Sequence, residues 1–273
     1  MRVRNNSGFE QRAIFLAAVC SQTYVQFSNP DGLFVVPQNY TLRHTIYAKA
    51  FGGRRERFGF ILESPDEIIV AFRGTSQQAD WISDLIASQR SFKYIKQDCL
   101  THRGFTDIYA TARNELIPAL SALPSSKPLT ITGHSLGAAL ATLCAVDTAA
   151  NTAFTSPALY TYGSPRVGDP AFKKAFNSYI RTSYRIANTF DAVTFVPPTV
   201  YKLPKRDKRY YYSHVPELVT LTFQLGAVGL NHIISSYFAE LAKLDSVYAG
   251  QLCQANPGFC PGTIPAAVPV SLT

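Results

Sequence analysis

The sequence predicts an α/β fold in which a mostly parallel central sheet is flanked by helices. From residue 104 onward, short β-rich segments alternate with segments whose apolar residues recur at helical spacing. Such alternation requires right-handed crossovers, which place successive strands side by side in parallel. The 273 residues are 47% hydrophobic and 16% charged, a composition typical of a well-packed globular protein. No internal repeat or linker divides the chain, so residues 1–273 are predicted to form one domain.

The N-terminal segment is interpreted as the first core helix. Its apolar residues from Phe9 to Val19 follow helical spacing, while Glu10, Gln11 and Arg12 interrupt the apolar run. A secretory signal peptide would instead have an uninterrupted apolar core followed by a small-residue cleavage site. We therefore expect a helix at this position, with no visible export signal.

An antiparallel meander is expected after this helix. Three β-rich segments, within residues 45–51, 57–64 and 67–74, are separated by Gly-Gly and Ser-Pro-Asp sequences that favour turns. Residues 91–95 are a further candidate strand. The apolar positions of residues 104–121 then predict the first helix of the alternating part.

Strands and helices alternate through the rest of the chain. The predicted strands are 128–132, 158–163 and 183–188. The predicted helices are 136–150, 169–179 and, after a hairpin at 210–222, a final amphipathic helix at 232–244. The core is expected to span residues 9–245, and the Pro-rich residues 250–273 are expected to form a tail on the surface.

The segment Gly133–Gly137, which reads GHSLG, lies between a predicted strand and a predicted helix. A strand, Gly-x-Ser-x-Gly and a helix together are the context of a nucleophile elbow, in which a strained turn exposes the serine hydroxyl. The helix N-terminus also directs free N–H groups toward the same position, where they suit an oxyanion. Ser135 is therefore the candidate nucleophile, and His134 beside it is interpreted as a packing or hydrogen-bonding residue.

A serine hydroxyl needs a base to accept its proton and an acid to orient that base. After a nucleophile elbow the chain order is serine, acid, then histidine. Asp191 is isolated among apolar residues just past a predicted strand, which makes it the candidate acid. Two histidines follow it. His232 lies in a Gly-rich loop before a helix and is preferred as the base, whereas His214 lies in a strand-like segment and is interpreted as structural.

Charge, histidine spacing and cysteine content give weaker indications about partners and cofactors than the motifs give about catalysis. The formal net charge is +8, but the basic residues gather at 54–57 and 202–209 rather than in one tract, so solvated loops are favoured over an anionic surface and no nucleic-acid partner is expected. The five histidines lack ligand spacing, so we expect no metal and no cofactor. No apolar run reaches the ~18 residues of a membrane span. Cys253 could pair with Cys260 or with Cys20.

Seven short motifs together resemble the class 3 lipase family, the fungal-type, Rhizomucor lipase-like α/β-hydrolases. The resemblance covers residues 9–245 and depends on the order of the motifs, since each one alone is weak. The motifs are IIVAFRGT, DWISDL, THRGF, ITGHSLGAALATL, YTYGSPRVGD, RIANTFDAVTFVPP and NHIISSYF.

The resemblance assigns roles to individual residues. It implies that Ser135, Asp191 and His232 form a catalytic triad. It also implies an oxyanion hole formed by Thr75 and the backbone N–H of Leu136. Residues 76–88 take the place of a mobile lid, in which the helical spacing of apolar residues predicts a short amphipathic helix. The substrate-facing residues of this lid are expected to be Trp81, Ile82 and Leu85.

The function implied is that of a serine ester hydrolase, most simply a triacylglycerol lipase acting on acylglycerols at lipid surfaces. A phospholipase A1 and a feruloyl or carboxyl esterase are alternatives within the same family. A catalytically silent scaffold is the alternative from another class, which the complete set of triad residues disfavours. The habit of the family suggests secretion, although no export signal is visible in this sequence.

Overall fold

Helices and strands alternate along the computed structural model, which describes residues 7–50, 53–75, 88–202 and 208–262. In chain order, the strands within these residues are β1 (Thr41–Lys49), β2 (Arg55–Glu63), β3 (Ile68–Phe72), β4 (Gln89–Ser91), β5 (Leu100–His102), β6 (Leu129–His134), β7 (Ala158–Tyr162), β8 (Thr182–Asn188), β9 (Val200–Lys202), β10 (Arg209–Tyr211) and β11 (Leu218–Leu221). The helices are α1 (Ser7–Ser28), α2 (Arg103–Ser121), α3 (Leu136–Asn151), α4 (Pro170–Tyr179), α5 (Ile234–Ala242) and α6 (Ser246–Ala255).

Seven of the described strands form a central sheet in the spatial order β1-β2-β3-β6-β7-β8-β11. The first three strands pair antiparallel as a meander, and each later pair is parallel. The predicted α/β fold with a mostly parallel sheet is therefore confirmed. The carboxyl ends of the parallel strands lie along one edge, which is where open α/β sheets bind ligands.

Helices cover both faces of the sheet because neighbouring strand residues point to opposite sides. Ile61 belongs to the apolar cluster beneath α2, α3 and α4, whereas Phe60 beside it belongs to the cluster beneath α1, α5 and α6. Both clusters consist of fully or almost fully buried side chains. The strands are consequently apolar on both faces, as is usual for a parallel sheet.

Most predicted elements are present, starting with the N-terminal helix, which spans Ser7–Ser28. The predicted hairpin at 210–222 is wrong, because its two halves join different sheets. β10 pairs with β9 in a separate ribbon, and β11 extends the central sheet beside β8. Pro216 has no N–H for a ladder, and the positive φ of Glu217 (27°) interrupts extended backbone between the two strands. The candidate strand at 91–95 is also misplaced, since β4 ends at Ser91.

The prediction of a surface tail beginning at residue 250 is wrong for residues 250–260. Helix α6 extends through the first part, and Cys253 pairs with Cys260. The ring of Phe259 is completely buried, and the Gln22 amide donates to the backbone carbonyls of Gly258 and Phe259. These bonds satisfy polar backbone groups, which allows the segment to pack against α1.

The predicted lid lies outside the described residues except for Ser88, so Trp81, Ile82 and Leu85 lie outside them as well. Within the described part of the chain, no helix has both the length and the apolar character needed to cross a membrane.

Candidate active site

Ser135 occupies a sharp turn between the end of β6 and the start of α3. Its backbone is left-handed, with φ of 60° and ψ of −128°. The strand, the turn and the helix approach so closely that a Cβ on Gly133 would clash with the Gly137 carbonyl, and one on Gly137 with the Phe72 carbonyl. Glycine on both sides is therefore required by close contact, and the turn has the geometry expected of a nucleophile elbow.

Ser135, His232 and Asp191 form a continuous buried chain of hydrogen bonds. His232 Nε2 is 2.8 Å from Ser135 Oγ, and its Nδ1 is 2.7 Å from Asp191 Oδ2. A carboxylate oxygen only accepts, so Nδ1 carries the hydrogen, and in the neutral ring Nε2 is free to accept from the serine hydroxyl. The structure thus brings the three sequence-predicted residues together in the arrangement of a nucleophile, a base and an orienting acid.

Three groups hold the Asp191 carboxylate in place. Asp191 follows β8 and begins the 3₁₀-helix Ala192–Phe195, whose Val193 N–H donates to Oδ1 at 2.9 Å. Besides His232, the Tyr237 hydroxyl donates to Oδ2 at 2.6 Å, and it accepts at 3.0 Å from the backbone N–H of Asn188. Burial and the nearby Asp191 raise the pKa of Tyr237 well above its usual value, so the phenol remains a donor.

Sequence reasoning missed Tyr237. It lies five residues after His232, within the helix predicted from apolar spacing, where an aromatic residue reads as core. Its hydroxyl meets Asp191, 46 residues away, only after β8 and α5 pack together. No local pattern could have indicated this contact.

We expect Tyr237→Phe to lower kcat about tenfold to a hundredfold while KM changes little. The change keeps the ring but removes one hydrogen bond to the acid, and bonds to charged groups contribute about 1.5–3 kcal/mol. Tyr109→Phe is the matched control, because the Tyr109 hydroxyl also donates at 2.6 Å to a buried carboxylate, that of Asp147. Steady-state kinetics with both variants would contradict a positioning role for Tyr237 if they retained equal activity.

Two other histidines, His214 and His102, bond to backbone groups. His214 Nε2 donates to the Thr194 carbonyl at 2.7 Å, just after the acid. Burial, together with nearby Arg185, lowers the pKa of His214 to about 3, so its ring is neutral. His102 caps α2 by accepting from the N–H of Phe105 at 3.3 Å. The structure therefore pairs Ser135 with His232 and places His214 beside the acid-bearing loop.

Thr75 lies at the end of the segment that follows β3. Its hydroxyl is buried and has no hydrogen-bond partner among the described residues. The preceding Gly74 packs against the elbow, because a Cβ built on it would lie 2.9 Å from Ser135 Cβ. Leu136 is the first residue of α3, where backbone N–H groups have no intrahelical acceptor. An unpaired hydroxyl and an N–H at a helix start, both next to the nucleophile, suit an oxyanion. The oxyanion-hole roles of Thr75 and of the Leu136 N–H remain predictions.

Thr75→Val is expected to lower kcat by about 10²–10³ with little change in KM. Valine keeps the shape of threonine but lacks the hydroxyl that would stabilise charge developing on the substrate oxygen. Thr75→Ser keeps the hydroxyl and should retain most of the activity. A raised KM with unchanged kcat in Thr75→Val would instead indicate that Thr75 binds the ground-state substrate.

No group of three or more His, Cys, Asp or Glu side chains within the described ranges is arranged to hold a metal ion. The groups that meet around Ser135 are a hydroxyl, an imidazole, a carboxylate and nearby N–H donors.

An elbow serine at the carboxyl end of a central parallel strand, followed in chain order by its acid and its histidine, defines an α/β-hydrolase. A sequence model described as lipase (class 3) matches residues 69–201. Over these residues, which contain Ser135 and Asp191, the chain matches the class 3 lipase family.

The proteins similar to this chain include two lipases and a phospholipase A1. A lipase of Rhizomucor miehei is 35% identical over 207 residues, covering 72% of this chain and 55% of the relative. Secreted mono- and diacylglycerol lipase 1 of Fusarium solani is 31% identical over 153 residues, with 55% and 45% covered. Phospholipase A1-II 7 of Oryza sativa subsp. indica is 31% identical over 172 residues, with 50% and 42% covered. The chain thus spans about half the length of these relatives.

Solved structures include the native propeptide complex of Rhizomucor miehei lipase, with a TM-score of 0.63 and 26% identity. The similarity covers 72% of this chain and 67% of that one.

Proposed function

We propose that this chain hydrolyses the carboxylic ester bonds of acylglycerols through an acyl-enzyme on Ser135. The observation that carries the proposal is the buried chain of hydrogen bonds from Ser135 through His232 to Asp191. The match of residues 69–201 to the class 3 lipase family, and the lipases among the similar proteins, support an ester as the substrate.

In the first step, Ser135 Oγ attacks the ester carbonyl carbon while its proton passes to His232 Nε2. The carbonyl electron pair moves onto oxygen, where the Leu136 N–H and Thr75 stabilise the negative charge. Asp191 holds the ring orientation and stabilises the imidazolium that forms. The Tyr237 hydroxyl keeps the carboxylate aligned throughout this step.

The tetrahedral intermediate then collapses, and the bond to the alcohol oxygen breaks. His232 Nε2 gives its proton to that oxygen, so the alcohol leaves and the acyl group remains on Ser135. Water repeats the attack with His232 as its base. Release of the carboxylic acid returns the proton to Ser135 Oγ and restores the resting site.

Exposed apolar side chains near the triad in sequence favour a substrate with acyl chains. Phe190 and Phe195, on either side of Asp191, are 45% and 58% exposed, and Val228, four residues before His232, is 66% exposed. Large apolar groups in loops that carry catalytic residues suit contact with a lipid surface. We propose transient binding to such a surface, with residues 76–88 as the lid predicted from their amphipathic pattern.

The function is tested with purified protein on a series of esters, with Ser135→Ala as the control for contaminating hydrolases. The series consists of tributyrin below and above its solubility limit, emulsified triolein, monoolein, phosphatidylcholine labelled in its sn-1 chain, and methyl ferulate. Faster turnover of acylglycerols, rising sharply above the solubility limit, supports a lipase with a lid. Preference for the sn-1 ester of the phospholipid indicates a phospholipase A1, and preference for methyl ferulate a feruloyl esterase. A folded protein that hydrolyses no ester overturns the proposal and leaves the scaffold alternative.

We further propose that the protein is secreted. Three similar proteins are named as secreted mono- and diacylglycerol lipases, and the disulfide between Cys253 and Cys260 is of a kind that persists in oxidising compartments. Mass spectrometry of the protein recovered from its native cells and from their medium, without reduction, measures both location and pairing. Recovery only inside the cells with reduced cysteines would contradict secretion.

A further inference from the structure

A second, partly buried chain of hydrogen bonds lies behind the triad and starts on helix α1. The Tyr24 hydroxyl is 2.6 Å from His134 Nδ1, and it is 3.1 Å from the backbone nitrogen of Gly74. On its other side, His134 Nε2 is 2.6 Å from the carbonyl oxygen of His232. These hydrogen bonds therefore join four residues that are far apart in the sequence.

The direction of every hydrogen bond in this chain is determined by its ends. A carbonyl oxygen only accepts, so His134 Nε2 carries the hydrogen and donates to His232. The Nδ1 of the neutral ring must then accept, so the Tyr24 hydroxyl donates to it. The Gly74 N–H donates to the Tyr24 oxygen, which completes the chain. One arrangement of hydrogens satisfies all three bonds.

The chain requires a neutral His134, and its surroundings favour that form. The ring is completely buried, and its centroid lies 4.7 Å from that of the His232 ring. Burial, and then the nearby His232, keep the pKa of His134 well below its usual value. Burial likewise raises the pKa of Tyr24, so its phenol remains protonated as a donor.

Three of the residues in this series of hydrogen bonds adjoin, or are, the proposed catalytic groups. Gly74 precedes Thr75, His134 precedes Ser135, and the accepting carbonyl belongs to the base His232 itself. The space around Gly74 is tight, because a Cβ there would clash with the Tyr24 hydroxyl and lie 2.9 Å from the His134 carbonyl oxygen. A shift of Tyr24 would therefore be transmitted both to the segment bearing Thr75 and to the elbow.

We propose that Tyr24 and His134 are positioning residues that hold the base and the oxyanion-stabilising segment in register with Ser135. Neither side chain touches the substrate. The inference rests on the proposed function of the same site, and it extends the catalytic machinery to helix α1, a long way from the motif in sequence. A displacement of about 1 Å between reacting groups can lower the rate 10²-fold. Loss of the hydrogen bonds made by Tyr24 or His134 should therefore lower kcat measurably.

The first test compares Tyr24→Phe with Tyr109→Phe, which removes a buried hydroxyl elsewhere in the core. We expect Tyr24→Phe to lower kcat about tenfold to a hundredfold with KM nearly unchanged, and Tyr109→Phe to lower thermal stability alone. Equal kcat in the two variants, measured well below their unfolding temperatures, would overturn the positioning role.

The second test separates the two hydrogen bonds of the His134 ring, one to the Tyr24 hydroxyl and one to the His232 carbonyl. His134→Gln keeps an N–H that can reach the His232 carbonyl, whereas His134→Leu keeps none. We expect a larger fall in kcat for leucine than for glutamine. Equal falls in two folded variants would mean that the bond to His232 does not position the base.

Two readouts do not require the natural substrate, so failure of this proposal is distinguishable from failure of the proposed function. One is the rate at which a fluorophosphonate probe labels Ser135. The other is the proton NMR signal of the His232 Nδ1–H bonded to Asp191. We expect slower labelling and a shifted or broadened signal in Tyr24→Phe. If the wild type labels readily but hydrolyses no acylglycerol, the substrate proposal fails alone. If labelling rate and signal are unchanged in Tyr24→Phe, the positioning proposal fails alone.

Discussion

Ser135→Ala is expected to abolish ester hydrolysis while leaving the fold intact. Loss of the serine in a comparable triad lowers kcat by about 10⁶, because no other group can form the acyl-enzyme. Alanine keeps the Cβ, so the strained backbone at φ 60° is no less accessible than before. The measurement is hydrolysis of the most rapidly cleaved ester in the series, beside circular dichroism and a thermal unfolding curve.

The control for this change is another buried serine near the site. Ser164, whose hydroxyl donates to the carbonyl of Pro165, lies just beyond the carboxyl end of β7. Ser164→Ala should retain activity within a few-fold, since its hydroxyl belongs to neither hydrogen-bonded chain. Hydrolysis by a folded Ser135→Ala protein, made in a host that lacks other esterases, would show that the nucleophile is a different residue.

Much of the fold could be predicted because the sheet is buried on both faces. Strands such as β6 and β7 appear as short apolar runs between helices, and right-handed crossovers then make neighbouring strands parallel. The three-residue strand β9 carries no such signal, so the partner of β10 was assigned to the wrong segment. Helix α6 was missed because proline and glycine around Phe259 suggest a tail, although a disulfide and bonds from Gln22 pack that segment.

The candidate site divides in the same way into a local and a nonlocal part. Ser135 could be predicted from its own motif, and Asp191 and His232 from chain order and from their positions beside elements. Tyr24 and Tyr237 could not, because each reaches the site through a hydrogen-bond partner that only tertiary packing supplies. Tyr24 reaches His134 across 110 residues, from a helix that contributes no motif of its own. Residues that support a catalytic group are thus the hardest to infer from sequence.

His232→Ala is expected to lower kcat nearly as much as Ser135→Ala, because serine and histidine act as one unit. Without the ring, no group accepts the Ser135 proton during attack or returns a proton to the leaving alcohol. The Asp191 carboxylate also loses a donor at 2.7 Å, while Tyr237 and Val193 remain bonded to it. Because the effects are not additive, the double variant with Ser135→Ala should be no slower than either single variant.

His214→Ala is the matched control, since His214 was the alternative base and its ring bonds to the carbonyl of Thr194, three residues after Asp191. Losing that bond removes a support of the acid-bearing loop, so we expect a lower unfolding temperature and a kcat reduced only a few-fold. The depressed pKa of His214, about 3, also makes it a poor proton acceptor at neutral pH. If a folded His214→Ala protein were inactive while His232→Ala kept most of its activity, the base would be His214. The observed contact between His232 Nε2 and Ser135 Oγ would then have no part in proton transfer.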